Sequence, residues 1–252
     1  LNLIAGDGET NILHLNALDF GRWSDKTEKS RKWINTYGKG FERLEKLQRK
    51  KGDNKEFNFD IVMANPPFAG KIKESRLLHQ YDLSVKENGK WQSAVGRDIL
   101  FIERNLDFLK PGGRMAVVLP QGRFNNISDQ RIRDFISERA RILAVVGLHH
   151  NTFKPHTGTK TSVLFVQKWD EKLCPKKENY PIFFAVSENS GKNNSGDYVY
   201  LKGNGGKNKL DKNGHLIVEH DLHNHGGELP DGVAETFAKW AKKEKLSFWA
   251  GE

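Results

Sequence analysis

The chemistry in this sequence is concentrated in four residues, Asn65-Pro66-Pro67-Phe68. An amine on an aromatic ring is a poor nucleophile because its lone pair is delocalised into the ring. Two acceptors that bind the amine protons localise that lone pair, and the Asn65 side-chain oxygen and the Pro66 carbonyl can form such a pair. The ring of Phe68 can stack on a nucleobase that has rotated out of its duplex. The four residues therefore predict methyl transfer to an exocyclic amine, with Asn65, Pro66 and Phe68 as catalytic residues.

The two prolines make this segment a stiff corner at the end of a strand. They remove two backbone donors and fix φ at both positions, and Pro67 pushes Pro66 into an extended conformation. Because proline has no N–H, the corner keeps carbonyl groups that can accept hydrogen bonds. The simpler alternative for the same residues is a tight turn or a cis-proline corner with no chemical role.

Alternating strands and helices are predicted to position the corner. The segment 59–65 is apolar almost throughout, as expected for a parallel strand that is covered on both faces. Strand and helix patterns at this spacing predict an α/β fold with a parallel sheet. The predicted strands are 11–18, 59–65, 114–120, 141–148 and 161–169, with shorter ones in 181–187 and 197–202. The predicted helices run from Arg97 to just before Pro111, from an N-cap at Ser128 to 139, and from about 232 to 245.

Two stretches interrupt this pattern, and the composition changes near residue 170. Residues 21–56 form a charged insertion with helical character, and 69–97 form a long loop directly after the corner. Beyond residue 170 the sequence becomes polar and rich in turn residues. We therefore divide the chain into a catalytic portion, 1–170, and a C-terminal extension, 171–252, with short strands and a terminal helix.

Charge and cysteine content restrict the class of protein. The 252 residues carry 41 Lys+Arg against 32 Asp+Glu, a net charge of +9, which favours a nucleic-acid partner, although a surface tuned for solubility is the alternative. We predict that Lys160 contacts a phosphate group of such a partner. A single cysteine, Cys174, excludes an internal disulfide. With no apolar run of membrane-spanning length and no signal peptide, the sequence predicts a cytoplasmic protein with no membrane partner.

Four histidines, His215, His220, His223 and His225, crowd one segment. No helix sets an i, i+4 pair there, and no cysteine assists. The pattern therefore predicts a solvated loop and no metal site.

Taken in order, the motifs resemble those of the modification (M) subunits of type I restriction-modification systems, which are N6-adenine DNA methyltransferases. The matching segments are NILHLNAL, DIVMANPPF, LKPGGRMAVVLPQG and NTFKPHTGTKTSVLFVQK, within about residues 1–190. The resemblance implies a Rossmann-like S-adenosylmethionine-dependent methyltransferase sheet, of which 1–170 is the C-terminal portion. It also implies duplex DNA as substrate, a specificity (S) subunit as partner, a restriction (R) subunit as a further candidate partner, and a bacterial or archaeal cytoplasm.

The resemblance also implies roles for individual residues. Asn65 and the Pro66 carbonyl would bind the adenine amine, and Phe68 would stack on the flipped base. Phe153 matches a second aromatic residue against that base, with ordinary core packing as the alternative. The cofactor contacts that it implies are Asn16, Ala17, Leu18, Asn65 and Pro67.

Two family features have no match in this sequence. These are the Gly-rich loop that holds the methionine end of the cofactor and the acidic residue that holds its ribose. We expect both to lie upstream of Leu1, so the isolated chain should bind the cofactor weakly and could be inactive. Two alternatives therefore stay open: an RNA or protein-glutamine methyltransferase, and a non-catalytic nucleic-acid-binding or assembly module.

Overall fold

The computed structural model describes residues 12–21, 31–50, 58–246 and 248. Six α-helices lie in these ranges, and none is both long and apolar enough to cross a membrane. The helices are α1 Arg31–Lys50, α2 Ser75–Leu78, α3 Arg97–Phe108, α4 Gly122–Asn125, α5 Gln130–Arg139 and α6 Val233–Lys243. The strands are β1 Phe59–Ala64, β2 Lys71–Ile72, β3 Val95–Gly96, β4 Leu109–Pro120, β5 Ala140–Gly147, β6 Thr161–Lys168 and β7 Phe183–Val186.

A central five-stranded sheet has the order β1-β4-β6-β5-β7. β1 is parallel to β4 and β7 is parallel to β5, whereas β6 runs antiparallel to both of its neighbours. Four of the five strands therefore run in one direction, which confirms the predicted α/β class. β6 is reversed because the connection 148–160 contains no helix to return the chain for a parallel pairing.

β1 differs from its prediction as a fully covered strand. It pairs only with β4 among the described strands and lies at the edge of the sheet. Its alternate residues Phe59, Ile61 and Met63 are 44%, 55% and 81% exposed. Val62 and Ala64, on the other face, pack against the core. Apolar content predicted the strand correctly, but the expectation that both faces are covered was wrong.

The main core lies between the sheet, α3 and α5. The predicted helical stripes point into it, with Ile102 and Leu106 of α3 fully buried and Ile132 and Ile136 of α5 buried. α5 begins at Gln130 rather than after an N-cap at Ser128, because the chain first forms a 3-10 turn, Ile127–Asp129.

The predicted first strand, 11–18, is absent from the described residues. Residues 12–18 form no strand, and Asn16 closes a turn in which its carbonyl accepts a hydrogen bond from Asp19 N at 3.1 Å. Asn11 lies outside the described residues. Leu18 is buried with Leu77, Leu78 and Tyr81 in a second cluster. The predicted insertion, 21–56, contains α1, which is the helix expected there. Residues 22–30 and 51–57 lie outside the described residues.

Residues beyond 170 add to the same sheet. β7 pairs with β5, and Phe237 and Trp240 of α6 pack with Leu143 and Phe165. The strand predicted over 197–202 is absent, because that segment makes only isolated bridges, such as Tyr200 with Val218.

Candidate functional site

The proline corner leaves the end of β1 at the carboxyl edge of the sheet. Asn65 is exposed, Pro66 is buried, Pro67 is exposed and Phe68 is half-buried. Among the described residues, the Asn65 side chain and the Pro66 carbonyl have no hydrogen-bond partner. Within the described part of the chain, neither of the two acceptors that the sequence selected is therefore occupied by a hydrogen bond.

A cleft of about 570 Å³ lies beside the corner. Its volume falls within the roughly 300–1,000 Å³ that is typical of small-molecule sites. Because β1 and β4 are parallel, their carboxyl ends meet at one edge, and ligands commonly bind at such edges. The residues lining the cleft are Pro67, Phe68, Ala69, Pro120, Gly122, Arg123, Asn126, Thr157 and Thr159.

Phe68 and Phe153 meet at this edge although they come from different connections. Their ring centroids are 5.8 Å apart and the ring planes are inclined by 82°, an edge-to-face arrangement. The Phe153 carbonyl accepts hydrogen bonds from His156 N and Thr157 N at 3.0 and 3.1 Å, which closes the turn that carries the ring. The structure thus brings together the two aromatic residues that the sequence placed against a base.

Residues 192–194 hold the turn that carries Phe153. The buried Asn151 donates from Nδ2 to the Lys192 carbonyl and to Asn194 Oδ1, at 3.2 and 3.1 Å. Lys154 donates to the Asn194 carbonyl at 3.0 Å, and Lys192 donates to the Lys154 carbonyl at 2.9 Å. We call this set of contacts the 151–194 clamp. Sequence reasoning missed it, because no local pattern relates segments this far apart.

Arg123 is the sole ionisable side chain among the described residues that line the cleft. It bonds Asp98, which is 1% exposed, at 2.7 Å and Asp129 at 3.0 Å. These two carboxylates balance its charge and fix its position. No sequence motif indicated Arg123. Its position just after the carboxyl end of β4 could have predicted a place at the site, because ligands commonly bind at that edge of a sheet. The part of the cleft lining that the structure describes therefore offers no general base.

Lys160 lies at the same edge, immediately before β6. It is exposed, and its carbonyl accepts a hydrogen bond from Gln121 N at 3.0 Å. Its neighbour Thr159 lines the cleft. An exposed lysine at this position can reach a bound polyanion. The role of Lys160 as a phosphate contact stays a prediction.

The predicted cofactor segment, Asn16 to Leu18, forms a turn that is fixed at several points. Asn16 Oδ1 accepts a hydrogen bond from Leu18 N at 3.2 Å. Tyr81 donates its hydroxyl to the Leu18 carbonyl at 2.7 Å, and Arg104 Nε donates to the Ala17 carbonyl at 3.2 Å. The turn has a fixed backbone and an exposed Asn16 amide, which fits a polar contact to one end of a cofactor.

This turn and the loop after the corner belong to one packed unit. Leu18 shares its cluster with Ile72 of β2 and with Leu77 of α2, which follow the corner directly. Arg76 forms a two-point ion pair with Asp19, with distances of 2.9 and 2.8 Å. The long loop 69–97 is therefore ordered, and it connects the predicted cofactor segment to the predicted base site.

Glu103 of α3 anchors the same loop. Its two carboxylate oxygens accept hydrogen bonds from Asp82 N and Leu83 N at 2.8 and 2.9 Å. Burial raises the pKa of Glu103 to about 6, against an opposing effect of these hydrogen bonds.

The histidine segment is more compact than its sequence predicted. The ligand atoms of His220, His223 and His225 lie within 4.8 Å of one another, whereas the exposed His215 lies next to Asp211. A turn, rather than a helix, brings the three rings together.

Most of the chain matches the model of one protein family, and shorter segments are similar to curated proteins. The family model described as N-6 DNA Methylase matches residues 33–212. The type I restriction enzyme EcoEI methylase subunit of Escherichia coli is 30% identical over 112 residues, which are 43% of this chain and 21% of that protein. The type II restriction enzyme and methyltransferase RM.Eco57I of Escherichia coli is 26% identical over 118 residues, 46% of this chain and 12% of that protein.

Among solved structures, the type I restriction-modification system methyltransferase subunit from Streptococcus thermophilus is 23% identical, with a TM-score of 0.46. The match covers 74% of this chain and 33% of that one. The chain thus spans only about a fifth or less of the two curated relatives and a third of this solved subunit.

Proposed function

The chain belongs to the N-6 DNA methylase family, and from this premise we propose that it methylates the N6 amine of adenine in duplex DNA with S-adenosylmethionine as donor. The observation that carries the proposal is a cleft lined by Phe68, whose ring meets that of Phe153 edge to face, next to the exposed Asn65 and the carbonyl of the buried Pro66. A flipped base needs both a stacking ring and acceptors for its amine.

On the side of the base, catalysis comes from positioning. Asn65 Oδ1 and the Pro66 carbonyl accept hydrogen bonds from the two N–H groups of the amine, which directs the nitrogen lone pair out of the ring plane. Phe68 and Phe153 hold the base so that this lone pair points in a fixed direction. The absence of an ionisable group other than the paired Arg123 from the described cleft lining agrees with a reaction that needs no strong base.

On the cofactor side, the described residues fit only one end of S-adenosylmethionine. Asn16, Ala17 and Leu18 would contact that end, and Pro67 would contact the cofactor from the corner. When bound, S-adenosylmethionine supplies a methyl group that is already activated on a sulfonium. The described residues contain no glycine-rich loop that opens a helix after a strand, so the remaining contacts need sequence beyond those residues.

The similarity to the EcoEI methylase subunit supports a role as the modification subunit of a type I restriction-modification system. Its partners would be a specificity (S) subunit, which reads the recognition sequence, and a restriction (R) subunit. In this arrangement the chain itself contacts DNA backbone, with Lys160 among the contacts, and the flipped base.

The test is methylation by the complete open reading frame that contains these residues, expressed with its S subunit. Duplex DNA, RNA and protein are offered as substrates, and methylated adenine is quantified. We expect transfer to duplex DNA and a loss of about 100- to 1,000-fold in kcat for Asn65→Ala, as for removal of one preorganised polar group that acts in the transition state. Asn88→Ala, on an exposed turn, is the control and should retain full activity.

Three results would count against the proposal. Methylation of RNA or of protein glutamine in place of DNA would assign the corner to another substrate. Full activity of Asn65→Ala would remove the chemical role of the corner. A complete protein that binds DNA but neither binds S-adenosylmethionine nor transfers methyl groups would be a binding or assembly module.

A further inference from the structure

Three imidazole rings converge in the segment His220–His225, away from the cleft lining. The Nε2 atoms of His220 and His225 are 3.1 Å apart. The three ring centroids are separated by 4.2 to 4.7 Å, and one ligand atom from each ring lies within 4.8 Å of the others. His220 and His225 are half-buried and His223 is exposed, so solvent reaches the cluster from one side.

The backbone around the cluster is anchored to the start of α6. The carbonyls of Asp221 and Leu222 accept hydrogen bonds from Val233 N and Ala234 N at 3.0 and 2.9 Å. The Asp221 carboxylate accepts three further hydrogen bonds, from Ser187 Oγ and from the backbone N–H groups of residues 188 and 189. Asp221 is therefore committed to the loop, and the three rings are the groups that face one another.

A reversal of the chain returns His225 towards His220. His225 has φ of +50°, and Gly226 and Gly227 follow with φ of +74° and +98°. Three successive residues in the left-handed region turn the backbone sharply, and Gly227 N donates to the Asn224 carbonyl at 3.0 Å. Positive φ is uncommon for residues other than glycine, so we infer that the contacts of the loop hold the backbone of His225 in this conformation and thereby set the direction of its ring.

Two of the rings, those of His220 and His223, favour their neutral form. Burial, followed by the proximity of His223 and His225, lowers the pKa of His220, and burial together with His225 lowers that of His223. Neutral imidazole is the form that binds metal ions. The Nδ1 atoms of His220 and His223 accept backbone hydrogen bonds at 3.2 Å, so each ring carries its proton on Nε2. Metal binding through Nε2 would move these protons to Nδ1 and release those two long hydrogen bonds.

We propose that His220, His223 and His225 form a binding site for a divalent transition-metal ion, with Zn²⁺ as the best match. Zn–N bonds of about 2.0–2.1 Å in a tetrahedral site separate the ligand nitrogens by about 3.3 Å. The His220–His225 pair already has nearly this spacing, and the exposed His223 needs to move inward by at most about 1.5 Å.

Water takes the fourth position in this proposal, which explains the open side of the cluster. Imidazole ligands suit Zn²⁺, Cu²⁺ and Ni²⁺ and exclude the harder Mg²⁺ and Ca²⁺. The ion would join the reversed loop to the segment that pairs with α6, and it uses none of the residues that line the cleft. The role of the site is therefore to stabilise this loop, and its existence is independent of the proposed methylation.

The experiment uses the untagged chain, stripped of metal with a chelator, because an affinity tag of histidines would itself bind the probe. Zn²⁺ binding is measured by calorimetry, and Co²⁺ is added separately to record the absorption of a tetrahedral site. The variants are His223→Gln, which changes an exposed side chain, and His225→Asn, which keeps a residue tolerant of positive φ. His215→Gln is the control, since this exposed histidine lies in the same segment outside the cluster.

We expect one ion per chain for the wild type and for His215→Gln. Loss of a group that merely supports a ligand weakens metal binding about 10- to 100-fold, so loss of a ligand should weaken it at least about 100-fold in both cluster variants. Free Zn²⁺ at a hundred times the wild-type Kd should raise Tm by about 5–10 °C in the wild type and by less than about 2 °C in the two variants.

Two results would overturn the site. The first is a wild-type chain that binds no stoichiometric Zn²⁺ and shows no tetrahedral Co²⁺ spectrum. The second is His223→Gln with wild-type affinity and stoichiometry, which would place the bound ion on other residues. Equal Tm values of the metal-free wild type and His223→Gln would establish that the variant is folded.

Discussion

Removal of the Phe68 ring is the sharpest test of the base site, because this side chain both lines the cleft and contacts Phe153. Phe68 is half-buried and its ring meets Phe153 edge to face at 5.8 Å. Phe68→Ala therefore removes one stacking surface for the base and one partner of Phe153. These two losses have different readouts, so they can be separated.

The two losses also differ in size. Stacking of a base on an aromatic side chain contributes about 1–3 kcal/mol, so the middle of that range predicts flipped-base binding about 30-fold weaker. An edge-to-face aromatic pair contributes about 0.5–1.5 kcal/mol beyond its buried area, which sets the smallest expected loss in the free energy of unfolding. The fold should therefore survive while base capture is largely lost.

The assay places 2-aminopurine at the target position of a duplex and follows the rise in its fluorescence when the base leaves the stack. The protein is the complete open reading frame with its S subunit, titrated at fixed salt because phosphate contacts are salt-dependent. Phe184→Ala is the matched control, since Phe184 is 70% exposed on β7 and lies outside the cleft lining.

The outcome that refutes the reasoning is specific. If Phe68→Ala lowered the free energy of unfolding by the expected amount but left the 2-aminopurine signal and its midpoint unchanged, Phe68 would be a packing residue only. Phe68→Trp provides a second check, because a larger ring at the same position should restore stacking.

Three further predictions concern the groups that support the site. Lys168 donates to the Leu106 and Leu109 carbonyls at the end of α3, at 2.9 and 2.8 Å, so Lys168→Met should lower the free energy of unfolding by about 1–3 kcal/mol in a urea titration, and an unchanged midpoint would contradict this. At Glu103 the native state binds a proton more strongly than the unfolded state between about pH 4.5 and 6, because burial raises the pKa of this group to about 6. The free energy of unfolding should therefore fall by up to about 2 kcal/mol across that range as pH rises, and the curve of Glu103→Gln should lack this component. Asn151→Ala breaks the 151–194 clamp and should reduce the free energy of 2-aminopurine binding by more than it reduces the free energy of unfolding, as judged from Tm. Base binding equal to that of the wild type would show that the clamp is not needed at the site.

Local pattern predicted most elements of this fold, because their apolar residues have a clear period. The stripe of α3 and the β-branched runs of β4 and β5 lie close to where the sequence placed them. The segment 11–18 has a similar apolar content, but its Leu18 packs on the loop after the corner, and the described residues give it no sheet partner. Apolar pattern predicts burial, and it does not by itself distinguish a strand from a turn that inserts one side chain.

Strand direction and long-range contacts were not accessible in this way. The apolar pattern of β6 is the same in either direction, and the missing helix between β5 and β6 determines its reversal. The meeting of Phe68 with Phe153 was anticipated only through the family resemblance. The convergence of three histidines depends on a left-handed backbone at His225, which no spacing rule predicts.

The 151–194 clamp has a consequence for the order in which a newly synthesised chain becomes competent. The hydrogen-bond partner of Asn151, the Lys192 carbonyl, is synthesised 41 residues later. A nascent chain that already contains the proline corner therefore lacks the contacts that fix the ring of Phe153. Under the proposed function, a chain terminated anywhere in that interval would carry the proline corner without the contacts that fix Phe153, and we expect it to retain an everted nucleotide poorly.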